Sequence, residues 1–544
     1  MSSEFHNLPR VAQGPLECPF EGRELIDNPS YSKGSAFPNN ERTEFKLHGL
    51  LPPNIQTLDE QVDRAYAQYS SCADDLAKNT FMASMKAQNE VLFYKLLQTR
   101  LKEMFSVIYT PTEADAIENY SRIFRRPEGC FLDITEQDAI EQSFVNFGEK
   151  GEDIDYIVVT DGEEILGIGD QGVGGILISV AKLAITTICA GIHPRRQLPV
   201  VLDCGTNNEK LLNDKLYLGL RQARVRGQKY DQFVDKFVQA ARKRYPPALV
   251  TALHVSKVKF EEIRVVCFGT GSAGAGIAAE ICNAIVSESN KAKAEARKQI
   301  WCLDKPGLLL KFQGDKLTPA QMILARDDND WPEGEGLDLY SVVKRVKPHV
   351  LIGTSTKPGA FTEEIIKEMA KHVVQPIVFP LSNPTRLHEA QPNDIIEWTE
   401  GRALLATGSP FPPVEYKGRK RDIGKWTLKR RAECNNSTAF PGIGLGVVLS
   451  RARLITDKML VTASKALAAQ APALEDPNKP LLPDVESVRG LSVKVASAVI
   501  KCAVEEGLAQ EEGIPNDEKE LEEWIRVQMW DPEYRALKKI DRTG

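Results

Sequence analysis

Two stretches of the chain hold residue types at spacings that chemistry needs. The first is Gly269-Thr270-Gly271-Ser272-Ala273-Gly274, a G-x-G-x-x-G pattern. It follows the apolar run IRVVCF and precedes the helical run AGIAAEICNAIV. In that setting the first glycine permits a tight turn, the second lets the backbone approach a pyrophosphate, and the third lets helix and strand pack closely. The N–H groups of Ser272 and Ala273 would then open a helix, whose start carries partial positive charge for the phosphates. A second strand, IWCL, ends at Asp304, an acid placed to bind the adenosine ribose. The interval exceeds the usual ~20 residues. The charged stretch 287–298, read as an extension of the intervening helix, accounts for the excess. An acid at Asp304 disfavours a 2′-phosphate and points to NAD; Lys305 beside it leaves NADP open.

The second stretch is GGILISVAKLAITTICAGI at 174–192, with Lys182 near its centre. In a bilayer that lysine would cost about 2.5–3.5 kcal/mol. The segment therefore reads as a buried helix of a soluble protein. Burial disfavours the charged form of a lysine, and a neutral amine is a usable base.

The elements that must position these residues alternate. Thr57 and Glu60 form a capping box opening a helix, and helical patterning continues to about residue 130. Apolar runs at Tyr156–Thr160, 165–168 and 198–202 then read as short strands flanking the Lys182 helix. A second strand series starts at Ile263, with runs at 300–303, 349–355, 376–384 and 403–410. The expected fold class is α/β: a helical N-terminal region (1–130), an α/β catalytic domain (131–250) and a Rossmann-type doubly wound dinucleotide-binding domain (251–435). Helices returning to the catalytic domain (436–515) and a charged C-terminal arm (516–544) complete the division.

Composition agrees. The 544 residues carry 69 Lys+Arg against 75 Asp+Glu, with 42% hydrophobic residues. These are ordinary globular proportions, and the acidic balance argues against nucleic-acid or anionic-membrane partners. None of the ten cysteines forms a C-x-x-C pair, so free thiols in a reducing compartment are expected. The N-terminus makes a poor secretory or transit signal, which favours the cytoplasm and leaves the mitochondrion as the alternative.

Several segments in order make a more specific pattern. They are YTPT (109–112), TDGEEILGIGDQG (160–172), AKL (181–183), LDCGTNNEKLL (202–212), FGTGSAGAGIA, GAFTEE (359–364), LSNPT (381–385), TEGRALLATGSPF (399–411) and CNNSTAFPGIGLG (434–446). Over nearly its whole length the chain resembles malic enzymes of the NAD-linked bacterial and fungal type. That resemblance implies oxidative decarboxylation of L-malate to pyruvate and CO2, NAD or NADP as acceptor, Mg2+ or Mn2+, and a homotetramer or homodimer. It makes Lys182 the general base and Tyr109 the general acid that protonates the enol. It gives Asn383 contacts to the nicotinamide ribose and substrate, and Asn436 a contact to the substrate.

The chain departs from the family in one segment. The family's metal ligands are two acids of an F-E-D-F motif and one of an N-D-D motif. Here Val250 runs directly into Thr251, and both motifs are missing between them. Asp203, Asp327 and Asp328 are the nearest substitutes in residue type, yet none reproduces the linked carboxylates. The chain as written is expected to have little malate-decarboxylating activity. The alternatives are a catalytically inactive nucleotide-binding homologue or truncated gene product, and a malolactic-type enzyme. A second departure is Glu164, where many animal relatives carry an arginine; Arg195, Arg196, Arg221, Arg224 and Arg226 are the cations available instead.

Overall fold

The computed structural model describes residues 14–147, 154–165, 168–245, 263–289, 291–382, 385–408, 414–416, 419–421, 436–474 and 487–541. The chain divides into two units, Met1–Thr251 with Glu512–Gly544, and Ala252–Glu511.

In the first unit, strand β1 (Leu16–Cys18) precedes a helical stretch. Helices α1 (Leu58–Ser70), α2 (Asp75–Lys86), α3 (Glu90–Thr99), α4 (Leu101–Ile108) and α5 (Thr112–Glu118) follow. The expected capping box is present: the Thr57 side chain accepts from Glu60 N, and the Glu60 carboxylate accepts from Thr57 N. Strands β2 (Cys130–Asp133), β3 (Tyr156–Thr160) and β4 (Gln197–Asp203) make a parallel sheet in the order β2-β4-β3. Strand β4 is buried along its whole length, as a central parallel strand must be. Between β2 and β3 lies α6 (Ile140–Asn146), between β3 and β4 lies α7 (Ile176–Ala190), and α8 (Gln228–Arg244) follows β4. Phe144 of α6 and Phe237 of α8 pack with Leu132, Val200 and Leu202 in one core.

Of the strand expected at 165–168, Leu166 and Gly167 lie outside the described residues, and Ile165 and Ile168 belong to no sheet. Ile165 and Gly169 instead bridge across a tight turn, Ile165 N donating to Gly169 O at 3.0 Å. Gly169, at φ +72°, ends the apolar run.

In the second unit, strands β5 (Val265–Phe268), β6 (Ile300–Asp304), β7 (Gly307–Leu308), β8 (Val350–Gly353), β9 (Ile377–Pro380) and β10 (Leu404–Leu405) form one sheet. Its order is β10-β9-β8-β5-β6-β7, parallel except for β7. Alternate residues of β5 serve opposite cores. Val265 and Cys267 pack with Ile281, Cys282 and Ile285, whereas Val266 packs with Val343, Ile366 and Met369. Their helices are α9 (Ser272–Ser289), α11 (Leu339–Val346) and α12 (Glu363–His372), and the short α10 (Pro319–Leu324) precedes α11. This two-sided burial makes the sheet doubly wound. The expected extension of α9 runs through Ser289, and a separate short helix, Lys293–Arg297, carries the rest of the charged stretch.

A two-stranded hairpin, β11 (Val414–Tyr416) with β12 (Arg419–Arg421), follows. Then come α13 (Phe440–Ser450), α14 (Asp457–Ala468) and α15 (Val488–Glu505). Gly442 and Gly446 let α13 lie directly on α15: a Cβ at Gly446 would stand 2.8 Å from Val499 Cβ and 2.9 Å from Ala496 O. These helices group with the second unit, whereas sequence reading attached 436–515 to the catalytic domain. Their apolar faces were legible, but not the partner they bury against.

The chain then returns to the first unit through α16 (Glu518–Arg526) and β13 (Leu537–Lys539). Strand β13 pairs in parallel with β1, covering Cys18, Leu25, Phe37, Phe45 and Leu47. Trp530 N donates to Gly191 O at 2.7 Å, at the left-handed cap that ends α7.

Candidate functional site

Tyr109 ends α4 and is 2% exposed. Lys182 lies in the middle of α7, between buried Ala181 and Leu183. The fold brings them together: Lys182 Nζ donates to Tyr109 Oη at 3.2 Å and lies 5.7 Å from its ring centre. Phe105 packs edge-on to the Tyr109 ring at 5.9 Å. The half-buried amine and the buried phenol are thus in hydrogen-bond contact, and a proton can pass between them. Helix α7, although long and apolar enough to cross a membrane, is mostly buried inside the unit.

The loop leading into α7 is built by close glycine contacts. A Cβ at Gly162 (φ +71°) would stand 2.1 Å from Gly172 O, so no side chain fits there. Asp170 fastens this loop. Its carboxylate accepts from Arg224 Nη2 at 2.7 Å and Arg224 Nε at 3.0 Å, and from Asn207 N at 2.9 Å and Gly172 N at 3.0 Å. Burial works against its charge, yet the Arg224 and backbone hydrogen bonds outweigh this and hold its pKa below the usual value.

The arginines offered as replacements for the absent one are mostly engaged. Arg196 is buried against Asp155, Arg224 holds Asp170, and Arg226 pairs with Glu163. Arg221 donates to the carbonyls of Lys215 and Tyr217, and Arg195 lies 4.9 Å over the Tyr31 ring. Glu164 itself is exposed.

Glu113, one turn beyond Tyr109, was not singled out from sequence. It is buried, and Asn79 Nδ2 bridges its carboxyl (3.1 Å) and Val107 O (2.9 Å). Burial pushes its pKa up to about 8; the Asn79 hydrogen bond opposes this, Glu128 adds to it and Lys86 opposes it. In the unfolded chain the same carboxyl ionises near 4.5. Its contribution to stability is therefore complete below that value and is lost as pH rises through about 8. Glu113→Gln should lose less stability than the parent between pH 6 and 9, by on the order of 3 kcal/mol, in urea unfolding at the two pH values. Parallel pH profiles would show that Glu113 ionises normally.

In the second unit the three glycines of the G-x-G-x-x-G pattern differ in their surroundings. Gly269 has φ +96°, and a Cβ there would stand 2.3 Å from Ser355 N. A Cβ at Gly271 would meet nothing within 4 Å, which leaves room for a ligand. A Cβ at Gly274 would strike Gly269 O at 2.1 Å. Ser272 and Ala273 are exposed at the first turn of α9. Asp304 ends β6; its carboxylate accepts from Lys305 N at 2.8 Å and from Gln321 Nε2 at 2.9 Å. Gln321 Nε2 also donates to Thr270 O at 3.0 Å, so one buried amide ties the acid to the glycine loop. Its signal in the sequence was Thr318-Pro-Ala-Gln321, a capping box opening α10. The open space at Gly271 and the fixed acid fit a dinucleotide with a free ribose.

Asn383 lies outside the described residues, as do Val250, Thr251 and the side chain of Asn436; the backbone of Asn436 opens a short 3-10 turn, Asn436–Thr438. A divalent metal does not fit what is described. Among the described residues no three His, Cys, Asp or Glu side chains group as a metal site. The substitutes are spent elsewhere. Asp203 accepts from Gly205 N and Leu220 N, Asp327 pairs with Lys311, and Asp328 accepts from Phe312 N.

Comparison with known proteins places the chain. Residues 86–263 match the family model for the malic enzyme N-terminal domain, and 246–504 that for the malic enzyme NAD-binding domain. The mitochondrial NAD-dependent malic enzyme of Saccharomyces cerevisiae is 44% identical over 589 residues, covering 98% of this chain and 86% of the yeast protein. NAD-dependent malic enzyme 3 of Bacillus subtilis is 43% identical over 574 residues, covering 97% and 99%. Both alignments are longer than the 544-residue chain, so each passes over positions where this chain has no residue. The crystal structure of Entamoeba histolytica malic enzyme superposes with a TM-score of 0.50 at 20% identity, covering 89% of this chain and 91% of that one. With both domains matched and such identity over almost its full length, the chain belongs to the malic enzyme family.

Proposed function

We propose that the fold serves NAD-linked malic-enzyme chemistry: L-malate and NAD+ give pyruvate, CO2 and NADH. The observation that carries this reading is the 3.2 Å contact between half-buried Lys182 and buried Tyr109. Lys182 takes the proton of the malate C2 hydroxyl. Tyr109 gives a proton to the terminal carbon of the enolate left by decarboxylation, and Lys182 returns to Tyr109 the proton taken from the hydroxyl. NAD, when bound, accepts the C2 hydride. Gly269, Gly271 and Gly274 with the N–H groups of Ser272 and Ala273 would hold its pyrophosphate, Asp304 its adenosine ribose, and Asn383 its nicotinamide ribose. Asn383 and Asn436 would contact the substrate. Asp304, held in place by Gln321, favours NAD over NADP.

The chain as written is a poor catalyst in this reading. The family's divalent metal would polarise the C2 oxygen, and the described carboxylates give it no site. That observation also favours a second reading, a nucleotide-binding member of the family that does not turn malate over. A homotetramer or homodimer in the cytoplasm, with the mitochondrion as the alternative compartment, completes the proposal.

The test is NADH formation from malate with Mn2+, measured for the chain as written and for one with a family metal-binding segment placed between Val250 and Thr251. Background rates from the first and ordinary rates from the second are expected. Ordinary rates from the first would refute the impairment. Lactate formed without net NADH would identify the malolactic alternative.

A further inference from the structure

Glu389, in the second unit, is completely buried, and no step above uses it. Its Oε1 accepts three hydrogen bonds, from Ser355 N (2.8 Å), Ser355 Oγ (2.9 Å) and Ser382 Oγ. Ser382 Oγ in turn accepts from Thr356 N at 2.8 Å. Its Oε2 has no hydrogen-bond partner among the described residues and lies 2.7 Å from where a Cβ on Gly353 would stand. Burying a carboxylate is costly unless something is gained in return. Here the gain is mechanical. Ser355 and Thr356 form the turn leaving β8, and Ser382 lies in the turn leaving β9. One carboxylate oxygen staples the two turns together and holds Thr356 at φ +54°, a conformation that a threonine rarely takes.

The place of this staple gives it meaning. Thr354 Oγ1 donates to Gly269 O at 2.6 Å, so the turn after β8 abuts the glycine loop where the sheet order reverses, between β5 and β8. In a doubly wound sheet the first mononucleotide half, here β5 and β6, takes the adenosine. The second half, here β8 to β10, takes the other nucleoside. We infer that Glu389 is a positioning residue for the nicotinamide half of the dinucleotide, fixing the two turns on which that nucleoside rests. The inference rests on the dinucleotide reading above and deepens it.

The experiment compares NADH with ADP, which lacks the nicotinamide nucleoside, by calorimetric titration of the full chain. Binding of both by the unaltered chain tests the dinucleotide reading by itself; binding of neither overturns that reading. Glu389→Ala should weaken NADH by about tenfold or more and leave ADP within about twofold, the scale of lost buried hydrogen bonds. Glu389→Gln, whose amide oxygen still accepts from the same donors, should keep NADH within about threefold of the parent. Unchanged NADH affinity in Glu389→Ala, or equal losses for both ligands, would overturn the inference. So would a glutamine variant no better than the alanine one. If the alanine variant does not fold, Ser382→Ala, which cuts the link to Thr356 N, takes its place with the same expectations.

Discussion

Replacing Lys182 with alanine, in a chain whose metal-binding segment has been restored, should lower kcat about 10^3- to 10^4-fold, the upper range for a positioned acid–base group. The reasoning is geometric. The amine is fixed by α7 at 3.2 Å from the Tyr109 oxygen, and in the proposed mechanism the two groups form one proton relay. Tyr109→Phe keeps the ring and its packing on Phe105 but removes the proton donor, so about 10^2- to 10^3-fold is expected. Because both residues act on one relay, the double variant should fall little below the worse single one. Additive losses would mean that Lys182 does not return the proton to Tyr109. A loss under about tenfold in Lys182→Ala would mean that another group is the base. NADH binding, which uses residues of the second unit, should be unchanged in both variants.

The second large effect concerns Gly271 in the second unit. Nothing stands within 4 Å of a Cβ placed there, so Gly271→Val should fold and unfold much like the parent. The same open space is where the phosphates must come close to the backbone, so NADH affinity should fall about 100-fold or more, roughly 2.7 kcal/mol. Fluorescence titration with NADH measures this. Gly276, two residues past Gly274 on α9, is an internal control. It too has open space around a Cβ, yet it lies outside the G-x-G-x-x-G pattern. Gly276→Ala should bind NADH normally and gain up to about 1 kcal/mol of helix stability. Equal NADH affinities in Gly271→Val and the parent would remove the phosphate-loop assignment.

What could be read beforehand follows from the range of the interactions. The strand, glycine turn and helix at 265–289 were legible because they follow each other within a short span of sequence, each with its own local signal. Lys182 was legible because a lone charge in an apolar helix is conspicuous. Tyr109 had no such mark; a tyrosine before Thr-Pro looks like packing, and only the family resemblance pointed to it. Gln321, Glu389, Glu113 and the Asp170–Arg224 pair escaped notice, since each gains its role from a partner 17 to 54 residues away. Spacing rules see only one turn or one strand ahead. The run at 165–168 shows the opposite failure, where composition suggests a sheet strand and Ile165 makes only an isolated bridge to Gly169.

The pairing of β1 with β13 has a consequence for the order of events at the ribosome. The second unit is an insertion within the first, whose sequence resumes only at Glu512. Residues 16–18 therefore leave the exit tunnel more than five hundred residues before the strand that covers them is made. During that interval Cys18, Leu25, Phe37, Phe45 and Leu47 lack their final cover. The second unit can close on its own sequence in that time, whereas the first must wait, with an apolar surface open to chaperones or to aggregation. Nascent chains arrested before Leu537 would thus hold a finished nucleotide-binding half beside an unfinished partner.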